Sequence, residues 1–154
     1  MVCITPTKSM SCPSKSSAVQ LGRVGELITM ASIERMGGHV AASTGGTPGF
    51  DLICYVNQNW HRVEVKSRSH ADKRNSYQFM TSKGLEGRRM ISQKDCDIIA
   101  LCALDLRLCQ YFNVSEIRVL RRRVARSRFT LAAEARTFQS AFSLSTPQSH
   151  PPQC

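Results

Sequence analysis

Hydrophobic and polar positions alternate in the middle of the chain in a pattern that predicts an antiparallel hairpin. An apolar run covers residues 52–56, a second β-rich run with alternating polar residues covers residues 60–66, and the polar residues 57–59 separate them. Two β-rich runs joined by a short Asn-rich break are typical of paired strands. Side chains two apart on a strand point to the same side, so we expect Glu64 and Lys66 to share one face.

The same hairpin positions a third charged residue, Asp51. We expect Tyr55 to pair with Trp60. In that register Asp51 lies opposite Glu64, with their Cβ atoms about 5 Å apart. Two carboxylates at that distance repel each other unless a cation lies between them. The hard, oxygen-preferring Mg²⁺ suits such a site. A Gly-rich turn at residues 44–49 delivers the chain to this position.

A helix is predicted before the hairpin, beginning at Ser16 or Ser17 and ending at Gly37-Gly38. Its apolar positions form two stripes, namely Leu21, Val24, Ile28 and Ala31, and Val19, Met30 and Ile33. Glu26 interrupts the second stripe. A carboxylate there is either a surface residue at the margin of the stripe or a functional group held at a buried site, and periodicity leaves both interpretations open.

The rest of the pattern predicts further strands and a final helix. The strands are expected at residues 39–43, 76–80, 97–104 and 108–112, and the helix at about 130–142. The strand at 97–104 is continuously apolar, as a strand covered on both faces should be.

Three other stretches are predicted from their polar composition. Residues 81–94 are expected to be irregular, with basic side chains that lack acidic partners apart from Glu86. Residues 115–124 are expected to begin as a helix and to lead into a cationic region at 118–128. The outer segments 1–15 and 145–154 are expected to be disordered, which leaves a single domain at 16–144.

Composition narrows the class of partner. The formal net charge of +10 and the isoelectric point near 9.7 indicate a polyanion, and nucleic acid is the first candidate. We expect no membrane partner and no secretory signal, because the chain lacks a long apolar run. No Cys-x-x-Cys pair or zinc-like histidine spacing occurs, so we expect no zinc. The predicted location is the cytoplasm, that of a host cell if the chain is phage-encoded.

The order of these features resembles the core of the PD-(D/E)xK, or restriction-endonuclease-like, nucleases. The helix with Glu26, a strand, the Gly-rich turn, Asp51 and then Glu64-Val65-Lys66 carry the resemblance, which covers about residues 20–115. The chain most resembles small homing endonucleases of this type encoded in introns or phages. It departs from their pattern in having Glu64, where these enzymes often have Gln. The chain also resembles archaeal Holliday junction resolvases, because residues 63–68 are similar to their active-site strand.

The resemblance implies an α/β (α+β) fold with a mixed central β-sheet flanked by helices. It implies a metal-dependent DNA endonuclease, of homing type, that hydrolyses phosphodiester bonds. A structure-specific nuclease and a non-catalytic nucleic-acid-binding domain are the alternatives. Asp51 and Glu64 correspond to the metal ligands, Lys66 to the catalytic lysine and Glu26 to the helix glutamate. The Val65 carbonyl is expected to complete the shell of Mg²⁺, for which Mn²⁺ can substitute.

Basic residues outside this core are the expected contacts to double-stranded or branched DNA. Six arginines occur within residues 118–128, which favours phosphate contacts over a solvated helix face. The predicted set is Arg68, Lys73, Arg74, Lys83, Arg88, Arg89, Arg121, Arg122, Arg123 and Arg126. We also expect a homodimer or higher homo-oligomer, because cutting both strands with one site per chain requires two copies.

For four ring side chains the sequence predicts only whether they are buried or exposed. Tyr77 and Phe79 are expected to pack in the core. His61 and His70 are expected at the surface, because one lies beside a turn and the other in a polar loop.

Overall fold

The structure is a computed structural model that describes residues 17–43, 49–83 and 89–143. The helices in these ranges are α1 (Ala18–Arg35) and α2 (Leu131–Ser143). The strands are β1 (His39–Ala42), β2 (Leu52–Val56), β3 (Asn59–Arg68), β4 (Ser76–Met80), β5 (Ser82–Lys83), β6 (Arg89–Met90), β7 (Ile98–Ala103), β8 (Leu108–Asn113) and β9 (Arg121–Ala125). The two segments predicted to be disordered lie outside the described residues, and so does most of the Gly-rich turn.

Five strands form the central sheet in the order β1-β2-β3-β7-β8. Strands β3 and β7 are parallel, and the other neighbours are antiparallel. Every residue of β7 is buried, as the continuous apolar run predicts. The mixed central sheet flanked by helices is therefore confirmed.

The hairpin has the predicted register. Tyr55 pairs with Trp60, and both turn residues, Asn57 and Gln58, have the positive φ angles that a tight two-residue turn requires. Strand β2 begins at Leu52, whereas β3 continues to Arg68 and pairs there with β7. The part of β3 that begins at Glu64 therefore extends past the end of β2.

Two hydrophobic clusters cover the two faces of the sheet. Helices α1 and α2 enclose one cluster, which includes Ile33, Val63 and Tyr111. The antiparallel pair β4–β9 closes the other face, where Tyr77 and Phe79 are buried as predicted. Because β3 alternates, Val63 faces the helices while Glu64 and Lys66 face the side of the β4–β9 pair.

Helix α1 has the predicted start and end but only part of the predicted buried face. Ser17 caps it in a capping box with Gln20, and the chain leaves it at Gly37, where φ is +85°. Val19 is 83% exposed and Val24 44% exposed. Ile33 is buried as predicted, and Ile28 and Met30 pack against the same core, but the other buried residues of the helix are Gly25, Thr29 and Ser32. Small and hydroxyl-bearing residues bring the helix close to the sheet and allow polar contacts there.

Helix α2 is anchored by a carboxylate that is almost completely buried. Glu134 accepts hydrogen bonds from Ser32 Oγ at 2.7 Å and from the Cys109 backbone N–H at 2.9 Å. It also forms an ion pair with Arg35. Thr130 caps the helix at its predicted start, through a bond from the Ala133 N–H to its side chain. Neither of the helices in the described residues is long and apolar enough to cross a membrane.

The cationic region differs from its prediction. Residues 121–125 form strand β9, not the continuation of a helix, and Arg122 pairs with Phe79 of β4. Neighbouring side chains alternate here, so Val124 packs in the core while Arg123 is exposed. Arginine has a long apolar stem that can cover a hydrophobic surface, so a strand rich in arginine can still pack on the core.

Residues 81–94 and His61 also differ from their predictions. The basic segment contains the short antiparallel pair β5–β6. The side chain of His61 is buried, whereas His70 is exposed as predicted. His61 Nε2 lies 3.3 Å from the Val56 carbonyl oxygen, and its ring packs edge-on against Phe142. Burial lowers the pKa of His61, which favours the neutral ring.

Candidate active site

Asp51 is held at the point where the chain enters the hairpin. Its backbone N–H donates to the Val63 carbonyl at 2.9 Å, and its Oδ2 accepts from the Val65 N–H at 2.7 Å. Gly49, two residues earlier, has φ +118°, and a Cβ there would lie 2.7 Å from the Asp95 carbonyl oxygen. Only glycine fits that approach, so the backbone fixes the carboxylate beside β3.

Glu64 lies beside two ammonium groups. The Lys66 Nζ donates to Glu64 Oε1 at 2.6 Å, and the Lys83 Nζ donates to Glu64 Oε2 at 3.2 Å. The Glu64 side chain is only 7% exposed, and each lysine side chain is less than a quarter exposed. A carboxylate with little access to water needs such partners, because burying an unpaired charge is costly.

The pKa of Asp51 is raised, and its causes show which charges surround it. Burial is the largest cause, and the neighbouring carboxylate of Glu64 is the second. Glu26 raises the pKa further, whereas the hydrogen bond from Val65 and the charge of Lys66 lower it. All four residues predicted to be catalytic are therefore close enough to interact, and three of them contribute negative charge.

Glu26 reaches this site from α1. A Cβ at the preceding residue, Gly25, would lie 2.6 Å from Ser67 Cβ on β3, so the helix touches the strand there. The Ser67 hydroxyl also donates to the Leu21 carbonyl at 3.3 Å. The Glu26 side chain is 23% exposed and forms a 2.6 Å ion pair with Arg23. It lies at the margin of the site rather than among the core side chains.

The donors available for a metal ion are two carboxylates and a backbone carbonyl. The N–H of Val65 points to Asp51, and the carbonyl of the same strand residue points to the same edge. Val65 therefore directs its carbonyl to the side of Asp51. No group of three or more His, Cys, Asp or Glu side chains with metal-ligand spacing occurs within residues 17–43, 49–83 and 89–143. Asp51, Glu64 and the Val65 carbonyl nevertheless suit a hard cation that keeps several waters, as Mg²⁺ does.

The basic residues predicted to contact DNA lie in three different environments. Lys73, Arg74 and Arg121 are exposed at the surface. Five others contact protein groups: Arg68 the Gln78 carbonyl, Arg89 Asp95, Arg122 the ring of Phe112, Arg123 Asp72, and Arg126 both Asp105 and Tyr77. Lys83 lies in the candidate active site, and Arg88 lies outside the described residues.

The expectation of unpaired cations at residues 81–94 is wrong for two of them. Lys83 pairs with Glu64, as described above. Arg89 pairs with both carboxylate oxygens of Asp95 and holds the pKa of that carboxyl well below its usual range. The sequence assigned Lys83 only to DNA contact. Its place beside Glu64 depends on β5 following β4 across the face of the sheet, which no local pattern indicates.

Sequence reasoning also missed the pair formed by Arg62 and Asp97. Asp97 accepts from the backbone N–H of Arg62 at 2.8 Å and from its guanidinium at 2.9 Å. This pair ties β3 to the start of β7, two residues before Glu64 and on the same face of the strand. The only sequence signal was an aspartate directly before a buried strand.

Comparison with known proteins identifies the fold. No protein-family model and no curated protein sequence matches the chain. The bacterial homing endonuclease I-Ssp6803I has a similar structure, with a TM-score of 0.61, 17% identity, and coverage of 82% of this chain and 93% of that one. The predicted restriction-endonuclease-like fold is confirmed. Hjc, a Holliday junction resolvase from the archaeal hyperthermophile Archaeoglobus fulgidus, matches with a TM-score of 0.45 and 16% identity, over 68% of this chain and 88% of that one.

Proposed function

We propose that this protein is a divalent-metal-dependent DNA endonuclease of homing type that hydrolyses phosphodiester bonds. One observation carries the proposal. Asp51, Glu64 and Lys66 converge where β3 extends past β2, and burial together with repulsion from Glu64 raises the pKa of Asp51. Carboxylates that repel each other in a site of low water access are the arrangement that a bound cation relieves.

The residues that would hold the ion are Asp51, Glu64 and the carbonyl of Val65. When bound, Mg²⁺ or Mn²⁺ supplies positive charge to the attacked phosphate and orients a water molecule. Glu26 would position that water from the helix side, since its charge is felt at Asp51. The Asp51 carboxylate remains fixed through its bond to the Val65 N–H.

Lys66 is the residue to which we assign proton handling. Its Nζ is 2.6 Å from Glu64 Oε1, so it lies beside any cation that Glu64 would hold. From there the ammonium can orient the nucleophilic water or stabilise charge on a phosphate oxygen. Lys83 brings a second positive charge to the opposite oxygen of Glu64. Two lysines allow the site to balance its carboxylates before substrate arrives.

We further propose that the enzyme has homing-type activity on double-stranded DNA. Its support is the similarity to a homing endonuclease over nearly the whole length of that protein, together with the net charge of +10. A chain with one active site would cut both strands as a homodimer or larger homo-oligomer. A cytoplasmic location and a compact domain over residues 16–144 fit this activity.

The proposal is tested by cleavage of labelled DNA with purified protein. We expect Mg²⁺-dependent cutting of a linear duplex that EDTA stops. Replacing Lys66 with Ala should lower the rate by about 10²–10⁴-fold, the usual contribution of a positioned proton-transfer group. Binding should change little, because one cation among many contributes little to affinity.

A matched control removes the exposed side chain of Lys94, which pairs with neither Asp51 nor Glu64 in the described part of the chain. Lys94→Ala should cut at the wild-type rate. Near wild-type cleavage by Lys66→Ala would remove the mechanism, and cutting in the presence of EDTA would remove the metal. A four-way junction serves as the second substrate. If it is cut and the linear duplex is not, the protein is a structure-specific nuclease instead of a homing enzyme.

A further inference from the structure

A pocket lined by four arginines lies at the opposite edge of the sheet from β1. Its volume is about 540 Å³, and its walls come from β8, β9, the turn after β9 and the start of α2. The four cations are Arg122, Arg123, Arg128 and Arg136. Of the described residues that line it, none is acidic. We call this feature the arginine pocket.

Arg122 is the unusual member of the arginine pocket. Its guanidinium stacks over the ring of Phe112, 3.9 Å from the ring centre. Burial lowers the pKa of Arg122, opposed by the charge of Glu116. No carboxylate in the described part of the chain forms an ion pair with it. Glu116 attracts this half-buried cation without forming a direct ion pair with it, so the guanidinium keeps room for an anion from solution.

The pocket is rigid where it meets the sheet. Gln110 on β8 donates from its Nε2 to the Arg128 carbonyl at 2.7 Å, which fixes the turn after β9. Thr130, which also lines the pocket, caps α2, so the positive end of that helix faces the same space. Arg123 has a 3.4 Å ion pair with Asp72, but both side chains are well exposed, and such pairs contribute little.

We propose that the arginine pocket binds phosphate groups of the DNA backbone, as a second contact separate from the carboxylate site. The guanidinium group is planar and forms paired hydrogen bonds with phosphate oxygens, and it is less strongly hydrated than an ammonium. Four of them around one cavity suit a polyanion with several phosphates. This proposal rests on the proposed function for the identity of the ligand as DNA.

The register of the sheet relates Glu64 in the carboxylate site to Phe112 in the arginine pocket. Glu64 pairs with Ile99, and Ile99 pairs with Phe112, so these residues lie in one row across β3, β7 and β8. Two strand spacings separate Glu64 from Phe112, which is about 10 Å. Phe112, beneath Arg122, is therefore close enough to the carboxylate site for one bound DNA molecule to reach both.

Arginine protection measures occupancy of the pocket directly. Phenylglyoxal modifies accessible arginines, and peptide mass spectrometry identifies which ones react. The full chain is treated alone, with inorganic phosphate, and with a duplex in EDTA so that no cleavage occurs. We expect both additives to protect Arg128 and Arg136 several-fold, with Arg107 on the β7–β8 turn as the unprotected reference.

Substitutions test the contribution to DNA binding. Arg128→Ala and Arg136→Ala should each weaken binding to all sequences and flatten the plot of log K against log salt by about 0.9. Arg107→Gly is the matched control, because it removes one charge and keeps the positive φ of 53° at that position. Its slope should stay within error of wild type.

Arg122→Met separates a binding role from a structural one. Methionine keeps an apolar chain over Phe112 and removes the charge that has no direct ion pair in the described part of the chain. We expect phosphate protection of Arg128 and Arg136 to be lost while the melting temperature does not fall. A lower melting temperature with protection intact would make Arg122 a structural residue and overturn its place in the site.

The remaining outcomes distinguish DNA from free phosphate as the ligand. They also distinguish failure of the arginine pocket from failure of the proposed nuclease activity. Protection by phosphate but not by DNA would overturn DNA as the ligand, leaving free phosphate compounds. Protection by neither would overturn the pocket as a phosphate site. A failure of the proposed function looks different, because the arginines would be protected by duplex DNA while no Mg²⁺-dependent cleavage occurs.

Discussion

At the scale of single residues, the candidate site depends on keeping like charges close together. Asp51 has a raised pKa because it is buried beside Glu64, and Glu26 adds to this effect. Glu64 is balanced by Lys66 and Lys83 instead, so the two carboxylates differ in how they are stabilised. Ionisation of Asp51 therefore lowers the free energy of unfolding of the folded protein.

The pH dependence of stability follows from the sign of that shift. A carboxyl whose pKa is raised in the folded state binds more protons folded than unfolded, so stability falls as pH rises. The loss begins near the ordinary value of 3.8 and is complete above the raised pKa. Asp51→Asn keeps an acceptor for the Val65 N–H and removes the charge. We expect it to be more stable than wild type at pH 7 and equally stable near pH 3, by urea unfolding.

The control for this prediction is Asp97, a carboxylate that lies beside a positive charge instead of a negative one. Asp97 accepts three hydrogen bonds from Arg62, so Asp97→Asn should destabilise the protein at pH 7. A loss of about 1–3 kcal/mol is expected for weakened bonds to a charged group. If Asp51→Asn also destabilised the protein at pH 7, the repulsion assigned to Asp51 and Glu64 would be wrong.

Metal binding gives a separate test at the same residue. A ligand that binds only the folded state raises its melting temperature. Mg²⁺ or Mn²⁺ should therefore raise the melting temperature of the wild-type protein and leave that of Asp51→Asn unchanged, as measured by scanning calorimetry. Equal shifts in both proteins would locate the metal elsewhere.

At the scale of elements, the approach of α1 to β3 determines where Glu26 lies. Gly25 permits this contact, because any Cβ there would overlap with Ser67. Gly22, one turn earlier, is different, because a Cβ at that position would meet no atom within 4 Å. The two glycines share a helix and differ only in what faces them.

These glycines provide a matched pair of variants. Gly25→Ala should destabilise the protein by about 1–3 kcal/mol, the usual cost of overpacking, although alanine favours a helix. Gly22→Ala should stabilise it by about 0.4–1 kcal/mol through the unfolded state. Urea unfolding measures both effects. Gly25→Ala should also slow cleavage, because a shifted α1 moves Glu26 away from Asp51. Equal stability changes in the two variants would contradict the close contact.

The hairpin, helix α1 and strand β9 differ in how far the sequence predicts them. The hairpin was predictable because its register depends on local alternation and on the two-residue turn Asn57-Gln58. The buried face of α1 was predicted only in part, because Thr29 and Ser32 are buried through bonds to distant residues. Strand β9 was hidden by its arginines, since Arg122 packs on Phe112 through its stem and guanidinium plane. Non-local contacts of this kind leave no periodic signal.

At the scale of the whole molecule, one buried carboxylate connects three parts of the fold. Glu134 on α2 accepts from Ser32 on α1 and from the Cys109 N–H on β8, and it pairs with Arg35. The Tyr111 hydroxyl donates to Ser32 Oγ at 2.8 Å and extends the network into the core. This network holds α1 against the sheet, so it supports the position of Glu26 from a distance.

Removing this carboxylate should therefore affect the whole domain. Glu134→Ala leaves the buried Ser32 hydroxyl and the Cys109 N–H without their acceptor, which costs about 1–3 kcal/mol for each group, whereas Arg35 is 53% exposed and can be solvated by water. Glu134→Gln keeps one carbonyl acceptor and the shape of the side chain, so its loss should be smaller. Glu116→Ala, at an exposed carboxylate, should change stability by no more than about 0.5 kcal/mol. Urea unfolding of the three variants checks the order, and a loss for Glu134→Ala as small as that for Glu116→Ala would mean that apolar packing alone holds the two helices to the sheet.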